Sequence, residues 1–435
     1  SLSNLIRALA VMPASGEGCV DQLDAQTQTV TAAKFISTDP PYYDNIGYAD
    51  LSDFFYVWLR KTLREAFPQL LSTVAVPKAE ELVATPYRHG GKEKAEHFFL
   101  DGMTAAMSSL ANQANKSAPV TIYYAFKQSE NETASGISST GWETFLAAVV
   151  QAGFGVSGTW PMRTELGNRM IGSGTNALAS SNVLVCRRRP ADLPSATRRE
   201  FVSALQREMP GALRDLQQGN LAPVDLPQSS IGPGMAIFTR YAQVVEADGN
   251  PMTVRTALQL INAAVTEFLT GQESEMDEWT RFAVTWFSQF GYKPGAFGDA
   301  LNIANAYAVS VEGVVEAGII ESGAGKVRIL QPGELDAAWD PQTDPRLTVW
   351  EIVHHLVRLL DQQGETAAAK VLAKVGTKAD EARSLCYRLY TVCEQKKWAE
   401  EARHYNTLIV SWPELVRLAA DPGSVAQETQ GELKM

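Results

Sequence analysis

The chain has only four cysteines, Cys19, Cys186, Cys386 and Cys393, and no Cys-x-x-Cys pair. That shortage excludes a disulfide-stapled scaffold and a zinc ribbon, and it fits a reducing compartment. Cys386 and Cys393 are spaced for one helix face, and all four are expected to be reduced, buried thiols. Histidine is scarce as well. His89 and His97 have no other His or Cys at ligand spacing, and the adjacent His354 and His355 would point about 100° apart on a helix, so no metal site is expected. Long apolar runs are missing: nothing approaches the ~20 residues of a membrane span, and the opening Ser1-Leu2-Ser3-Asn4-Leu5-Ile6-Arg7 has no signal-peptide pattern. No membrane association and a cytoplasmic location are the expectation. Positive charge is also short. With 38 Lys+Arg against 49 Asp+Glu the net charge is −11, which excludes a protein that coats DNA by bulk electrostatics and leaves only local patches.

What is present is the tetrapeptide Asp39-Pro40-Pro41-Tyr42 at the end of the apolar run from Ala32 to Thr38. An exocyclic amine on a base is a poor nucleophile because its lone pair is conjugated into the ring. A carboxylate and a main-chain carbonyl can orient it without a strong base: Asp39 and the Pro40 carbonyl would accept from its two N–H groups, and the prolines would hold the loop rigid. Tyr42 offers a flat face for an extruded base. A strand-ending turn is the bland alternative for the same four residues. Context favours the chemistry, because residues 32–38 have strand composition, residues 50–67 have helical spacing, and open α/β sheets place their sites at the carboxyl ends of parallel strands.

Further elements suit the second half of a doubly wound sheet. Residues 118–127 read as a strand and residues 141–152 as a helix ending at Gly153. Residues 155–164 and 181–187 read as an antiparallel hairpin at the sheet edge, around a loop with Gly167, Gly172 and Gly174.

The run from Asp39 to Arg60 resembles the bacterial adenine-specific DNA methylases that carry a zinc ribbon, many of them found beside phage-defence genes. Val76-Pro77-Lys78-Ala79-Glu80-Glu81-Leu82, Thr159-Trp160-Pro161-Met162-Arg163-Thr164-Glu165, Asn176-Ala177-Leu178-Ala179-Ser180-Ser181 and Ile231-Gly232-Pro233-Gly234-Met235 are similar to further segments of that family. The resemblance implies S-adenosylmethionine as cofactor, with Thr38 and Asp39 beside it, and DNA as partner. It also implies an upstream glycine-rich loop and an acidic ribose ligand. Only 38 residues precede Asp39, and Gly16-Glu17-Gly18 lacks a strand before it and a helix after it. The expectation is therefore a carboxy-terminal half, from a split gene, a truncated frame or an engineered piece, that needs a missing N-terminal half or partner subunit and is inactive without it.

Tyr43, Asn45 and Tyr48 are second-tier substrate contacts, and Arg163 and Arg169 in the hairpin are candidates for DNA phosphate. Arg187-Arg188-Arg189 with Arg198-Arg199 reads instead as a solvated strand end. The polar stretch from Ala79 to Phe99 is either a phosphate-contacting loop or a plain surface loop.

The organisation expected is a catalytic half over residues 1–190 and a connector over 191–250. A helical region over 251–335 and a C-terminal helical region over 336–435 follow. Apolar residues three and four apart predict helices over 254–269, 278–290, 297–307, 311–317, 349–362, 367–375, 379–396 and 398–411. Three of these, followed by Gly318-Ile319-Ile320 and residues 325–330, resemble a winged helix; Glu312, Glu316 and Glu321 leave protein contact as open as DNA contact. The aromatics of the last helices read as core, and residues 421–435 as a fraying tail.

The function expected is adenine-N6 methylation of DNA by a fragment or subunit of a restriction or phage-defence system. A non-catalytic DNA-binding or scaffold component is the alternative. Cytosine-N4 or protein-glutamine methylation stands third; the glutamine enzymes usually start the motif with Asn where this chain has Asp39.

Overall fold

The computed structural model describes residues 2–12, 18–43, 46–124, 140–163 and 180–420. The protein is mixed α/β and predominantly helical, and one contiguous apolar core runs from Ile36 to Leu415.

The first region holds α1 (Leu2–Val11), β1 (Ser37–Thr38), α2 (Tyr48–Leu63), α3 (Pro86–His89), α4 (Lys92–Gln113), β2 (Val120–Tyr124), α5 (Thr140–Gln151), β3 (Phe154–Arg163) and β4 (Ser180–Arg188). The sheet order is β1-β2-β4-β3. β1 runs parallel to β2, with Ser37 beside Thr121 and Thr38 beside Ile122, while β4 is antiparallel to both β2 and β3. The hairpin expected at the sheet edge is present, with β3 outermost. Residues 32–34, expected as strand, instead form turns: the Ala32 amide donates to the Thr29 carbonyl, the Lys34 amide to Thr31, and Ala33 sits at φ 58°. β1 therefore shrinks to its last two residues.

α4 packs its buried face, Ala95, Phe99, Met103, Ala106, Met107 and Leu110, into the core beside α5. It starts at a sharp reversal where Gly90 and Gly91 have φ of 72° and 125°, conformations that glycine adopts readily and residues with a Cβ rarely do. So in the stretch from Ala79 to Phe99 the first seven residues are non-helical, as a loop would be, and the rest is a single-turn helix followed by the head of a long one.

The second region, β5 (Ala196–Thr197), α6 (Arg198–Gln218), α7 (Leu226–Ser229), α8 (Ile231–Phe238), β6 (Val244–Val245) and α9 (Val254–Ser274), spans the stretch read as a connector. It is built into the core. A capping box starts α6, with the Glu200 amide donating to the Thr197 hydroxyl and the Thr197 amide donating to the Glu200 carboxylate. Phe201, Leu205, Met209 and Leu213 then bury one face. The Ile-Gly-Pro-Gly-Met segment is α8, and its two glycines are contact points. A Cβ on Gly232 would sit 2.4 Å from the Thr159 hydroxyl, and one on Gly234 2.5 Å from Ile261. The Thr239 hydroxyl ends α8 and receives the Val156 amide, freed by a bulge between Val156 and Gly158.

The third region comprises α10 (Glu278–Phe290), β7 (Gly295–Ala296), α11 (Phe297–Ala306), α12 (Val311–Glu316), β8 (Ile320–Gly323), β9 (Lys326–Ile329), α13 (Val349–Gln363), α14 (Glu365–Val375), α15 (Lys378–Lys396) and α16 (Ala399–Ala420). Its small sheet has the order β7-β9-β8, all antiparallel. Asp277 joins two helix starts: its carboxylate caps α10 through the Thr280 amide (2.7 Å) and accepts the Val349 amide at the head of α13 (3.0 Å). Trp286, Trp350, Tyr387 and Trp412 are buried, as their helical spacing implies. His354, between Trp350 and Tyr405, is a core residue: its Nδ1–H donates to the Trp350 carbonyl (2.8 Å), which leaves Nε2 to accept from the Tyr405 hydroxyl (3.1 Å).

Cys186, Cys386 and Cys393 are free and buried, while Cys19, in a stretch where residues 18–25 are all exposed, is free and exposed, not buried as expected. No described helix is long and apolar enough to cross a membrane.

Candidate functional site

The Asp-Pro-Pro-Tyr loop leaves the carboxyl end of β1, where the ladder to β2 has just ended. Pro40 is buried and anchors the loop, Pro41 and Tyr42 are half-buried, and Asp39 is exposed. Among the described residues neither the Asp39 carboxylate nor the Pro40 carbonyl has a hydrogen-bond or ion-pair partner. Partial burial alone pushes the Asp39 carboxyl above its ordinary range.

An aromatic floor underlies the loop. Tyr124, the last residue of β2, is fully buried and stacks flat on Phe145 of α5, with 3.9 Å between centroids and 4° between planes. Trp142 lies 5.2 Å from the same ring. Tyr42 meets Tyr124 edge-on at 5.4 Å, and the Tyr124 hydroxyl accepts the Tyr43 amide at 3.1 Å. The loop is thus fixed by ring packing from β2 and α5. Sequence reasoning missed Tyr124 as a site residue; its position at the end of the neighbouring parallel strand was the available signal.

Two of the expected substrate contacts divide sharply. Tyr43 is a correction: its ring is buried against Phe99 (5.1 Å), and its carbonyl receives the Ala84 amide, so it holds the loop down and presents no face to a substrate. Tyr48, the first residue of α2, stands beside the motif. Burial raises its phenol pKa most; a hydrogen bond with the Tyr42 main chain opposes that shift, and the negative charges of Asp39 and Glu81 add to it. Asn45 and Arg169 lie outside the described residues, as does the glycine-containing loop between β3 and β4. Arg163 closes β3 with its backbone, and its side chain is likewise outside the described residues.

Behind the loop, charged residues fasten α2 to the chain. Asp53 accepts from Lys78 (2.7 Å) and from the Val76 amide (2.8 Å). Arg88 bridges Glu81 (2.5 Å) and Asp50, Tyr87 donates to Asp50 (2.9 Å), and Glu81 also takes the Ala49 amide (2.9 Å). Arg88, in the stretch weighed as a phosphate contact, is thereby committed to two carboxylates, and the bonds to Glu81 and Asp50 hold its guanidinium charged. His89 stacks on Phe98 at 4.0 Å. In the arginine run, Arg187 and Arg188 are exposed, but Arg189 turns in and donates to the carbonyls of Tyr241 and Val150.

Thr38 and Asp39 therefore stand at an open strand edge with free acceptors. This fits the border of a cofactor site but not a whole one, since no glycine-rich turn following a strand accompanies them among the described residues. No described cluster of His, Cys, Asp or Glu has metal-binding geometry.

A family model described as a domain of unknown function (DUF8807) matches residues 277–433. That match begins at Asp277, the residue that caps α10 and ties it to α13. No curated protein and no solved structure matches the chain.

Proposed function

We propose that this chain is the substrate-orienting half of an S-adenosylmethionine-dependent DNA methyltransferase that acts on the adenine N6 amine, as a fragment or subunit of a restriction or phage-defence system. The observation that carries the reading is the pair of unbonded acceptors, the Asp39 carboxylate and the Pro40 carbonyl, at the carboxyl end of a parallel strand. An NH2 group has two donors, and two fixed acceptors turn its lone pair out of conjugation. S-adenosylmethionine, when bound, supplies an electrophilic methyl group. Thr38 and Asp39 would border it.

Tyr42 would stack the extruded base, braced from below by Tyr124. The Tyr48 phenol stays protonated at neutral pH, so it can stand near the Asp39 carboxylate without repelling it. The sheet order β1-β2-β4-β3, closed by an antiparallel edge hairpin, supports the second half of a Rossmann-like methyltransferase sheet.

The test supplies the polypeptide encoded directly upstream of Ser1, labelled cofactor and DNA, and identifies the product nucleoside by mass spectrometry. N6-methyladenine is expected, and Asp39→Ala should abolish it. Normal turnover in Asp39→Ala would remove the catalytic assignment. N4-methylcytosine would move the target to the other amine, and methylated glutamine in protein would replace the DNA reading.

A non-catalytic scaffold is the second reading, and one observation favours it. The order α10, β7, α11, α12, β8, β9 with sheet order β7-β9-β8 is similar to a winged helix, yet its α12 face is acidic. Glu312 and Glu316 are exposed on α12, and Arg328 of β9 is paired with Glu321 and Glu334. Such a face suits protein contact better than phosphate contact.

A further inference from the structure

We infer that the outward face of α2 and the free edge of β1 form a docking surface for a different polypeptide, one that lays a strand alongside β1 and an apolar face with an acidic end over α2. This inference rests on packing and main-chain geometry and stands whether or not methyl transfer is the activity.

α2 is a helix with two working faces. Ala49, Asp53, Tyr56 and Arg60 fall on one side at helical spacing. That side is held to the chain: Ala49 and Tyr56 are buried, Asp53 binds Lys78 and the Val76 amide, and the Tyr56 hydroxyl donates to the Thr73 carbonyl at 3.0 Å. Leu51, Phe54, Phe55 and Trp58 follow the i, i+3, i+4, i+7 spacing on the opposite side. They are 63%, 69%, 64% and 62% exposed. An amphipathic helix normally turns its apolar stripe inward and its carboxylates outward; here the carboxylates anchor the helix and the stripe faces out. The stripe offers on the order of 500 Å² of apolar surface, at the upper end of what a monomer leaves bare in one patch.

The second observation is the strand. Among the described residues β1 pairs with β2 alone and nothing takes the main-chain groups on its other side, and Phe35 just before it is 76% exposed. Parallel ladders occur where both faces are covered and neither central edge is bare. Lipid or nucleic acid covers an apolar stripe or a charge, but only another polypeptide strand extends a ladder edge and covers the stripe beside it.

Charge decides between a second copy and a different chain. Lys61 and Arg64, at the end of α2, have no acidic partner among the described residues. In a symmetric pair joined through the α2 stripes the acid opposite them would be Asp50, which is already committed to Arg88 and Tyr87, because Asp53 lies on the anchored side. A different chain with free carboxylates meets that demand.

The experiment uses the full chain and the polypeptide encoded directly upstream of Ser1, expressed separately and mixed. Light scattering on a sizing column should give a one-to-one complex, with hydrogen-exchange protection confined to residues 35–38 and 51–59. Phe54→Glu with Trp58→Glu should weaken binding at least tenfold while the circular-dichroism melt stays unchanged, because both side chains are exposed. Lys61→Glu with Arg64→Glu should weaken it several-fold, more at low salt than at high salt. Absence of a complex, or a complex indifferent to these substitutions, overturns the inference. So does a symmetric dimer of the chain alone, or retention on anionic phospholipid vesicles, that the Phe54 and Trp58 substitutions abolish. Binding without methylation would leave this surface standing and remove the catalytic reading.

Discussion

α2 and α13 are two helices of similar length with similar apolar stripes, and they have opposite fates. α13 buries Trp350, Val353, Leu356 and Val357 against α10, α15 and α16, and its single-residue caps are satisfied: Thr348 and Glu351 form a capping box at its start. α2 buries only Ala49 and Tyr56 and turns Phe54, Phe55 and Trp58 outward. A stripe at 3.6-residue period says that a helix forms and that one face needs cover. It does not say which molecule provides that cover.

The contrast can be broken most forcefully with two tryptophans. Trp350→Ala removes a fully buried ring and should cost about 3–5 kcal/mol of unfolding free energy. Trp58→Ala should stay within about 0.5 kcal/mol of the parent, as surface changes do. Chemical denaturation of both variants measures the difference. A comparable loss in Trp58→Ala would mean that α2 is already covered within this chain.

A smaller effect sharpens the picture of the packed region. Asp277→Ala removes the cap of α10 and the acceptor for the first amide of α13 and should cost about 1–2 kcal/mol. Asp277→Asn keeps an acceptor oxygen and should recover most of that loss. If the two variants are equally destabilised, the charge and not the cap is what matters.

The packed region should also carry the pH response. Burial pushes Glu351 up to about 7, so its contribution is complete below its unfolded value near 4.5 and is lost as pH rises through 7. His354 and His355 are depressed by burial to about 4 and about 3, so theirs is complete above 6.5 and is lost as pH falls through those values. Between 6.5 and 4.5 two histidines oppose one glutamate, for a net fall on acidification of about 1.4 kcal/mol per pH unit at most. The melting temperature should therefore peak near pH 6.5. Glu351→Gln keeps the capping geometry and removes the ionisation, so its advantage over the parent should be larger at pH 8 than at pH 5. An advantage that does not change with pH would show that folding does not raise the Glu351 pKa.

How far the sequence carried this description follows the same division. Most helices from α9 onward were legible to within two residues, because apolar periodicity, caps and local partners agree there; α9 and α16 run on to Ser274 and Ala420, past the expected ends at 269 and 411. β2, α5, β3 and β4 were legible for the same reason. Asp39 was legible as a free acid at a strand end, since chemistry-bearing residues next to prolines stand out from packing patterns. Tyr43 was misread because adjacent tyrosines look alike in sequence, and only the Tyr124 hydroxyl and Phe99 decide which ring goes in. β1 was read too long because strand composition does not reveal that turns claim residues 29–34. Within the supposed connector the helical stretch read over 196–217 is α6, but α8 was missed because Pro and Gly read as linker signals, whereas Gly232 and Gly234 mark close approach to Thr159 and Ile261.

The smallest predicted effect probes how α2 is held while its outer face is bare. Its attachment depends on exposed and half-exposed charges, Asp53 with Lys78 and Asp50 with Arg88, which contribute little to global stability in water. Asp53→Asn removes the ion pair with Lys78 and weakens the bond from the Val76 amide without touching any core side chain. The cooperative melt should therefore be unchanged, while limited proteolysis within residues 64–75 should speed up several-fold as α2 swings on its remaining anchors. Adding the upstream polypeptide should reverse the acceleration, because cover on the apolar face would supply the attachment that the ion pair no longer gives. Protease resistance equal to the parent would place the hold on α2 in Tyr56 and Thr73 instead.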